Sequence, residues 1–164
     1  MNTGDFWKRL ALGALAGLAG TMAIQAVRSA NKKWMPESQA PINEEPGKFM
    51  VHQAEKILPD RAKECVSEKT EKAAAKLLSL GYGITFGMLY AMARPKTKRA
   101  IREGALLGVA TWAVGYLGWL PVARLMPPVW KQKPKQVALP VAEHAVFGVA
   151  TVAGYRWLKK RAHI

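Results

Sequence analysis

Apolar residues along this chain come in four blocks, and the charges sit between the blocks. Charge-free runs cover positions 10–27, 77–93 and 104–123, and a fourth, 137–155, is interrupted only by Glu143. A helix rises 1.5 Å per residue, so roughly 20 residues cross a ~30 Å hydrocarbon layer. Each of the four runs is close to that length. Soluble helices show a polar face every few residues, and these runs have almost none. A chain of 164 residues cannot bury four such helices completely in its own core. The pattern predicts an all-α integral membrane protein, a four-helix bundle with a polar, partly helical loop between helices 1 and 2. The expected helices lie at about residues 6–28, 61–94, 103–121 and 138–158, in a single membrane domain spanning 1–164.

The segments between the runs have their own signals. Phe6-Trp7 is an aromatic pair suited to the interface before the first helix. Pro36, Pro41 and Pro46 break the start of the 29–60 loop. Residues 48–58 place Phe49, Met50, Ala54, Ile57 and Leu58 roughly on one face, which predicts a short helix lying on the membrane surface. Pro59-Asp60 ends it, and Asp60 is a candidate N-cap for a long helix from Arg61 to Arg94. Arg94-Pro95 stops that helix. Pro127-Pro128 makes a rigid turn, with Trp130 at headgroup level. Tyr155-Arg156-Trp157 anchors the last helix at an interface.

Small residues recur at close-packing intervals: Gly13, Gly17 and Gly20; Ser79, Gly83 and Gly87; Gly104, Gly108, Thr111, Gly115 and Gly118. Lipid supplies no hydrophobic drive for helix association, so such stripes let backbones approach. They serve packing within the chain or, for the third helix above all, contact with another subunit. The stripes also suggest a parallel repeat. Residues 13–17 (GALAG) echo 104–108 (GALLG), and Phe86-Gly87 echoes Phe147-Gly148, at offsets of 91 and 61.

Charge changes the picture less than its size suggests. The net charge is +14, but Lys8, Arg9, Arg28, Lys76, Arg94, Arg102, Arg124 and Arg156 cluster at the ends of the apolar runs. That placement meets the anionic headgroups of a lipid bilayer and argues against nucleic acid as a partner. With four spans, the N-terminus, positions 94–103 and the tail share one side. The other side holds slightly more Lys and Arg in total, but spreads them over much longer segments. The positive-inside bias is strongest in short segments near helix ends, so density puts both termini in the cytoplasm. Arg28 would stand three residues before a cleavage after Ala30, so the first run is read as a retained helix rather than a signal peptide. Cys65 is the only cysteine, which excludes a disulfide framework and a cysteine metal site.

Candidate chemistry is sparse. Within the runs only Glu143 and His144 are ionisable, and intramembrane charges are costly enough to suggest function. Adjacent helical positions point about 100° apart, so the two cannot share one partner directly. Three readings stay open. If Pro140 opens the helix, Glu143 sits in its first turn and is stabilised there by the helix N-terminus and by Lys133 or Lys135. If the helix starts earlier, the pair is a buried relay, ion or ligand site. His144 could also be an axial ligand to a haem or chlorophyll. Thr21, Gln25, Tyr82, Thr85, Tyr90, Thr111 and Tyr116 fit helix–helix hydrogen bonding, and His52 and His163 fit solvated positions. No nucleophile, base and orienter assemble from these residues, and no Gly-x-Ser-x-Gly, His-Glu-x-x-His or phosphate loop appears.

The last third carries a resemblance. Pro121, Leu125-Met126-Pro127-Pro128-Val129-Trp130, Glu143-His144-Ala145-Val146-Phe147-Gly148 and Arg156-Trp157-Leu158 resemble the YagU-like family of small bacterial inner-membrane proteins, over residues 100–160. The family often has glycine where Glu143 precedes the histidine. The resemblance implies a bacterial inner membrane and a Glu/His pair in the last helix, and no reaction. The expected function is therefore non-enzymatic and without cofactor or metal. The chain is a packing or accessory subunit, a homo-oligomer, or part of a larger membrane complex. The alternative is a small transporter or channel with Glu143 and His144 on its path.

Overall fold

A computed structural model describes residues 3–56, 67–94 and 97–163. Among them the protein is all-helical, with no strand. The main helices are α1 (Thr3–Trp34), α2 (Pro46–Glu55), α3 (Glu68–Ala93), α4 (Ala100–Val122) and α5 (Pro134–Arg161). Three are long and apolar enough to cross a membrane: Gly4–Trp34, Ala100–Val122 and Pro134–Arg161. Helix α3, which holds the shortest of the four apolar runs, is not among them.

The helix ends differ from expectation for local reasons. No breaker follows Arg28 until Pro36, so α1 runs on to Trp34. Helix α3 as described begins at Glu68, where Ser67 is extended and caps it, accepting from Thr70 N at 3.3 Å. The expected cap Asp60, the helix start at Arg61, Ile57, Leu58, Cys65 and the stop at Pro95 lie outside the described residues. Helix α5 begins at Pro134, with Gln136 accepting from Lys133 N at 3.2 Å, so Pro140 lies inside it.

Helix α4 is not regular. Residues Ala113–Trp119 form a π-helical stretch, with Gly118 at φ −95° and ψ −109°. The wider turn shifts the register, so the expected stripe divides. Gly104, Gly108 and Thr111 are buried against α5, and Gly115 and Gly118 meet no neighbouring helix.

The helices pack side by side in the order α3, α1, α5, α4. Glycines make the joints. A side-chain carbon on Gly17 would collide with Gly83 O, and one on Gly87 with Gly13 O. One on Gly148 would collide with Gly104 O, and one on Gly108 with His144 O. Gly20 holds α1 against Thr151 and Phe147 of α5. The joint of Gly13 and Gly17 with Gly87 thus matches that of Gly104 and Gly108 with Gly148, at the offsets of the sequence repeat. These contacts lie within one chain, so Gly13, Gly17, Gly20, Gly83, Gly87, Gly104 and Gly108 are taken up by intramolecular packing.

Small and polar residues share the interior with Tyr90, Phe147, Val152 and Tyr155, and many large apolar residues face outward. Ala16, Thr21, Thr111, Thr151 and Glu143 are buried, whereas Leu15, Leu77, Leu106 and Leu117 are more than half exposed. That distribution suits lipid as the surrounding solvent. At one end, Asn43 N donates to Leu125 O at 2.8 Å. There the 35–45 loop docks on a cluster of Tyr116, Leu120, Leu125 and Met126. At the other end Glu103 ties α3 to α4. Its carboxylate accepts from Tyr90 Oη (2.8 Å), Lys98 N (3.0 Å) and Arg99 N (3.1 Å).

Candidate functional site

Two ionisable residues in one apolar run must each find a partner or stay in water. Helix periodicity sends Glu143 and His144 to different neighbours. Glu143 faces α1 and is 2 % exposed. Its Oε2 accepts from Arg28 Nε at 3.2 Å, and its Oε1 from Asn31 Nδ2 at 3.0 Å. Arg28 and Asn31 sit three apart on α1, so one helical face supplies both donors. Because α5 starts at Pro134, Glu143 is the tenth residue of the helix, about 13 Å from its start. This corrects the reading that placed it in the first turn beside Lys133 or Lys135. Lys135 instead pairs with Glu37 at 2.6 Å.

His144 faces α4. Its Nδ1 lies 2.7 Å from Pro140 O, and its ring meets Tyr116 edge-on with centroids 5.5 Å apart. Trp112 stacks on Tyr116 in turn. Tyr116, which is buried, belongs to the π-helical stretch. Its hydroxyl also lies against Arg28. Arg28 thus bonds Glu143 directly and reaches His144 only by way of Tyr116.

Beside this cluster is a cavity of about 980 Å³. Thr21, Gln25 and Arg28 of α1, Met50, Val51 and Ala54 of α2, Leu78 and Tyr82 of α3, Thr111 and Tyr116 of α4, and His144 and Phe147 of α5 line it. Helix α2 is therefore one wall of the cavity, packed on α3 through Gly47 and Ala75. The cavity exists because α3 and α4 stand apart. Tyr82 Oη reaches across and donates to Thr111 O at 3.3 Å. A closed two-fold arrangement of the repeats would press α3 on α4 as α1 is pressed on α5. Tyr82, 61 positions before Glu143, faces this gap as Glu143 faces the joint.

No family model, curated protein or solved structure matches the chain. The resemblance to the YagU-like family therefore rests on the residues quoted for it.

The sequence singled out Glu143 and His144, and the structure gives them separate partners in one cluster. Arg28, Asn31 and Tyr116 were missed as members. Arg28 read as a flanking charge, although its position one residue past the first run was the available signal. A second group, His52, Glu55 and Glu71 with Glu44, was also missed. His52 and Glu55 stand three apart on one helix, and that spacing was its only signal.

Proposed function

We propose that this chain is a four-span protein of the bacterial inner membrane, with both termini in the cytoplasm, that binds a membrane-dissolved amphiphile in the cavity between α3 and α4. The role is one of holding or passing on a ligand, without catalysis, and it develops the transporter reading of the Glu143/His144 region. The observation that carries it is the cavity itself. Its volume lies at the upper end of the ~300–1,000 Å³ of small-molecule sites, and its lining is mostly apolar, with polar groups from Arg28, Gln25, Tyr116 and His144 and, where α2 meets the start of α3, from Glu55, Thr70 and Glu71. Arg28, Gln25, Tyr116 and His144 suit a polar head, and Leu78, Met50 and Phe147 suit hydrocarbon. The Glu143 carboxylate holds Arg28 in place, and Arg28, 37 % exposed, keeps donors for a head of negative charge. The competing reading, contact with another subunit, draws little support from Gly13, Gly17, Gly20, Gly83, Gly87, Gly104 and Gly108, because their close neighbours are in the same chain.

Extraction and mass spectrometry of lipids retained by the protein after purification in mild detergent test this. Wild type is expected to keep about one amphiphile per chain. Ala54→Trp and Ala74→Trp, which fill the cavity from α2 and α3, should release it while helicity is preserved. Absence of stoichiometric lipid, or equal retention in both variants, refutes the proposal.

A further inference from the structure

A second pocket lies outside the apolar cavity, where α2 meets the start of α3. Its walls include Glu44, His52, Glu55 and Glu71. We propose that His52, Glu55 and Glu71 bind one divalent transition-metal ion, with Glu44 orienting the histidine.

The donor atoms of His52, Glu55 and Glu71 all lie within 4.8 Å of one another. Around a metal with bonds of ~2.0–2.2 Å, donors stand about 3–4 Å apart, so small side-chain rotations close the set. His52 Nδ1 is in contact with a Glu44 carboxylate oxygen. That contact calls for a proton on Nδ1, so in the neutral ring Nε2 carries the lone pair, as in carboxylate–histidine–metal arrangements. Nε2 then faces Glu71 Oε2 at 3.7 Å, too far for a hydrogen bond. Glu55 supplies an independent sign. Although the residue is only partly buried, its Oε1 is shielded from solvent and has no hydrogen-bond partner among the described residues. A carboxylate oxygen held in that state is costly unless a cation meets it.

No lysine or arginine among the described residues forms an ion pair with Glu44, Glu55 or Glu71. Lys56 Nζ bonds Gln53, and Lys72 pairs with Glu68. Lys56 also lines this pocket, with its Nζ turned to Gln53, so among the described residues three carboxylates stand near one imidazole with no ion pair to a lysine or arginine. One imidazole nitrogen with carboxylate oxygens suits Zn²⁺, Mn²⁺ or Fe²⁺ better than Mg²⁺ or Ca²⁺, which prefer oxygen alone. The site also has a mechanical consequence. Glu55 and Glu71 line both pockets, so a bound ion would clamp α2 to α3 beside the cavity.

The test uses the full-length, untagged chain in detergent, stripped with a chelator. Calorimetric titration with Zn²⁺ is expected to show one site per chain, unaffected by millimolar Mg²⁺. Co²⁺ should give visible absorption bands of a site with nitrogen and oxygen donors. His52→Ala, Glu55→Gln and Glu71→Gln should each weaken Zn²⁺ binding at least tenfold, and Glu44→Gln about tenfold. Circular dichroism checks that each variant stays helical. Failure of the wild type to bind Zn²⁺ at one per chain overturns the proposal and leaves His52 as a cation bridging carboxylates. Wild-type affinity in His52→Ala and Glu55→Gln overturns it equally. The Co²⁺ spectrum of the wild type decides the question should a variant fail to fold.

Discussion

The two ends of the Arg28–Glu143 pair are not equivalent, and a double-mutant cycle should expose the difference. Two unit charges 3.2 Å apart attract by about 5 kcal/mol at an effective dielectric of 20. Desolvation of the carboxylate and solvent at Arg28 remove much of that. Removing Arg28 strands a carboxylate that is 2 % exposed, with Asn31 as its remaining donor. Arg28→Met should therefore cost about 3–5 kcal/mol. Removing the Glu143 charge strands a guanidinium that is 37 % exposed and can turn to water. Glu143→Gln also keeps an oxygen for Asn31, so its cost should be about 1–2 kcal/mol. The double variant has no stranded charge. It should be more stable than the sum of the singles requires, with a coupling of about 2 kcal/mol. Reversible unfolding in mixed micelles, or steric trapping in bicelles, measures all four corners. Two results would refute this account of the pair. One is additivity to within about 0.5 kcal/mol, the behaviour of independent sites. The other is a larger loss in Glu143→Gln than in Arg28→Met.

Three further outcomes follow from other parts of the fold. Gly17→Ala and Gly108→Ala force a methyl onto a facing backbone and should each lose about 1–3 kcal/mol, whereas Gly81→Ala, with nothing within 4 Å, should be neutral or gain up to about 1 kcal/mol. Thermal unfolding in detergent ranks the three, and a destabilised Gly81→Ala would contradict the packing described. Lys135 holds the Glu37 carboxyl below its ordinary value of 4.5. A depressed folded-state value stabilises above the unfolded-state value and is lost as pH falls through the folded one. The stability gap between wild type and Lys135→Met should thus be present at neutral pH and close below about pH 4.5, and a gap that widens in acid would count against the pair. A C-terminal reporter active only in the periplasm should stay silent, and a signal would reverse the proposed orientation.

Much of the architecture was legible in the order of residues because lipid-facing helices need length and continuity of apolar side chains, both one-dimensional properties. The runs at 10–27, 104–123 and 137–155 coincide closely with helices long and apolar enough to span. Proline and serine positions explain the ends once the neighbouring residues are considered, as at Pro36, Ser67 and Pro134. The glycine stripes were visible too, and so was the repeat that pairs Gly13 and Gly17 with Gly87 as Gly104 and Gly108 pair with Gly148.

The partners of those features were decided only in three dimensions. A glycine stripe says that something approaches closely, and only the packing order says that the neighbour belongs to the same chain. Glu143 carried a high cost wherever it lay. Its partner was Arg28, 115 positions away, because α1 and α5 share a joint. The cavity has no trace in the sequence, since it is the space left where α3 and α4 do not meet. His52 is partly solvated as its polar segment suggests, and the carboxylates around it could not be foreseen because they lie on a loop and on two different helices. The order of residues determines which groups are costly to bury, and the tertiary structure chooses which of them meet.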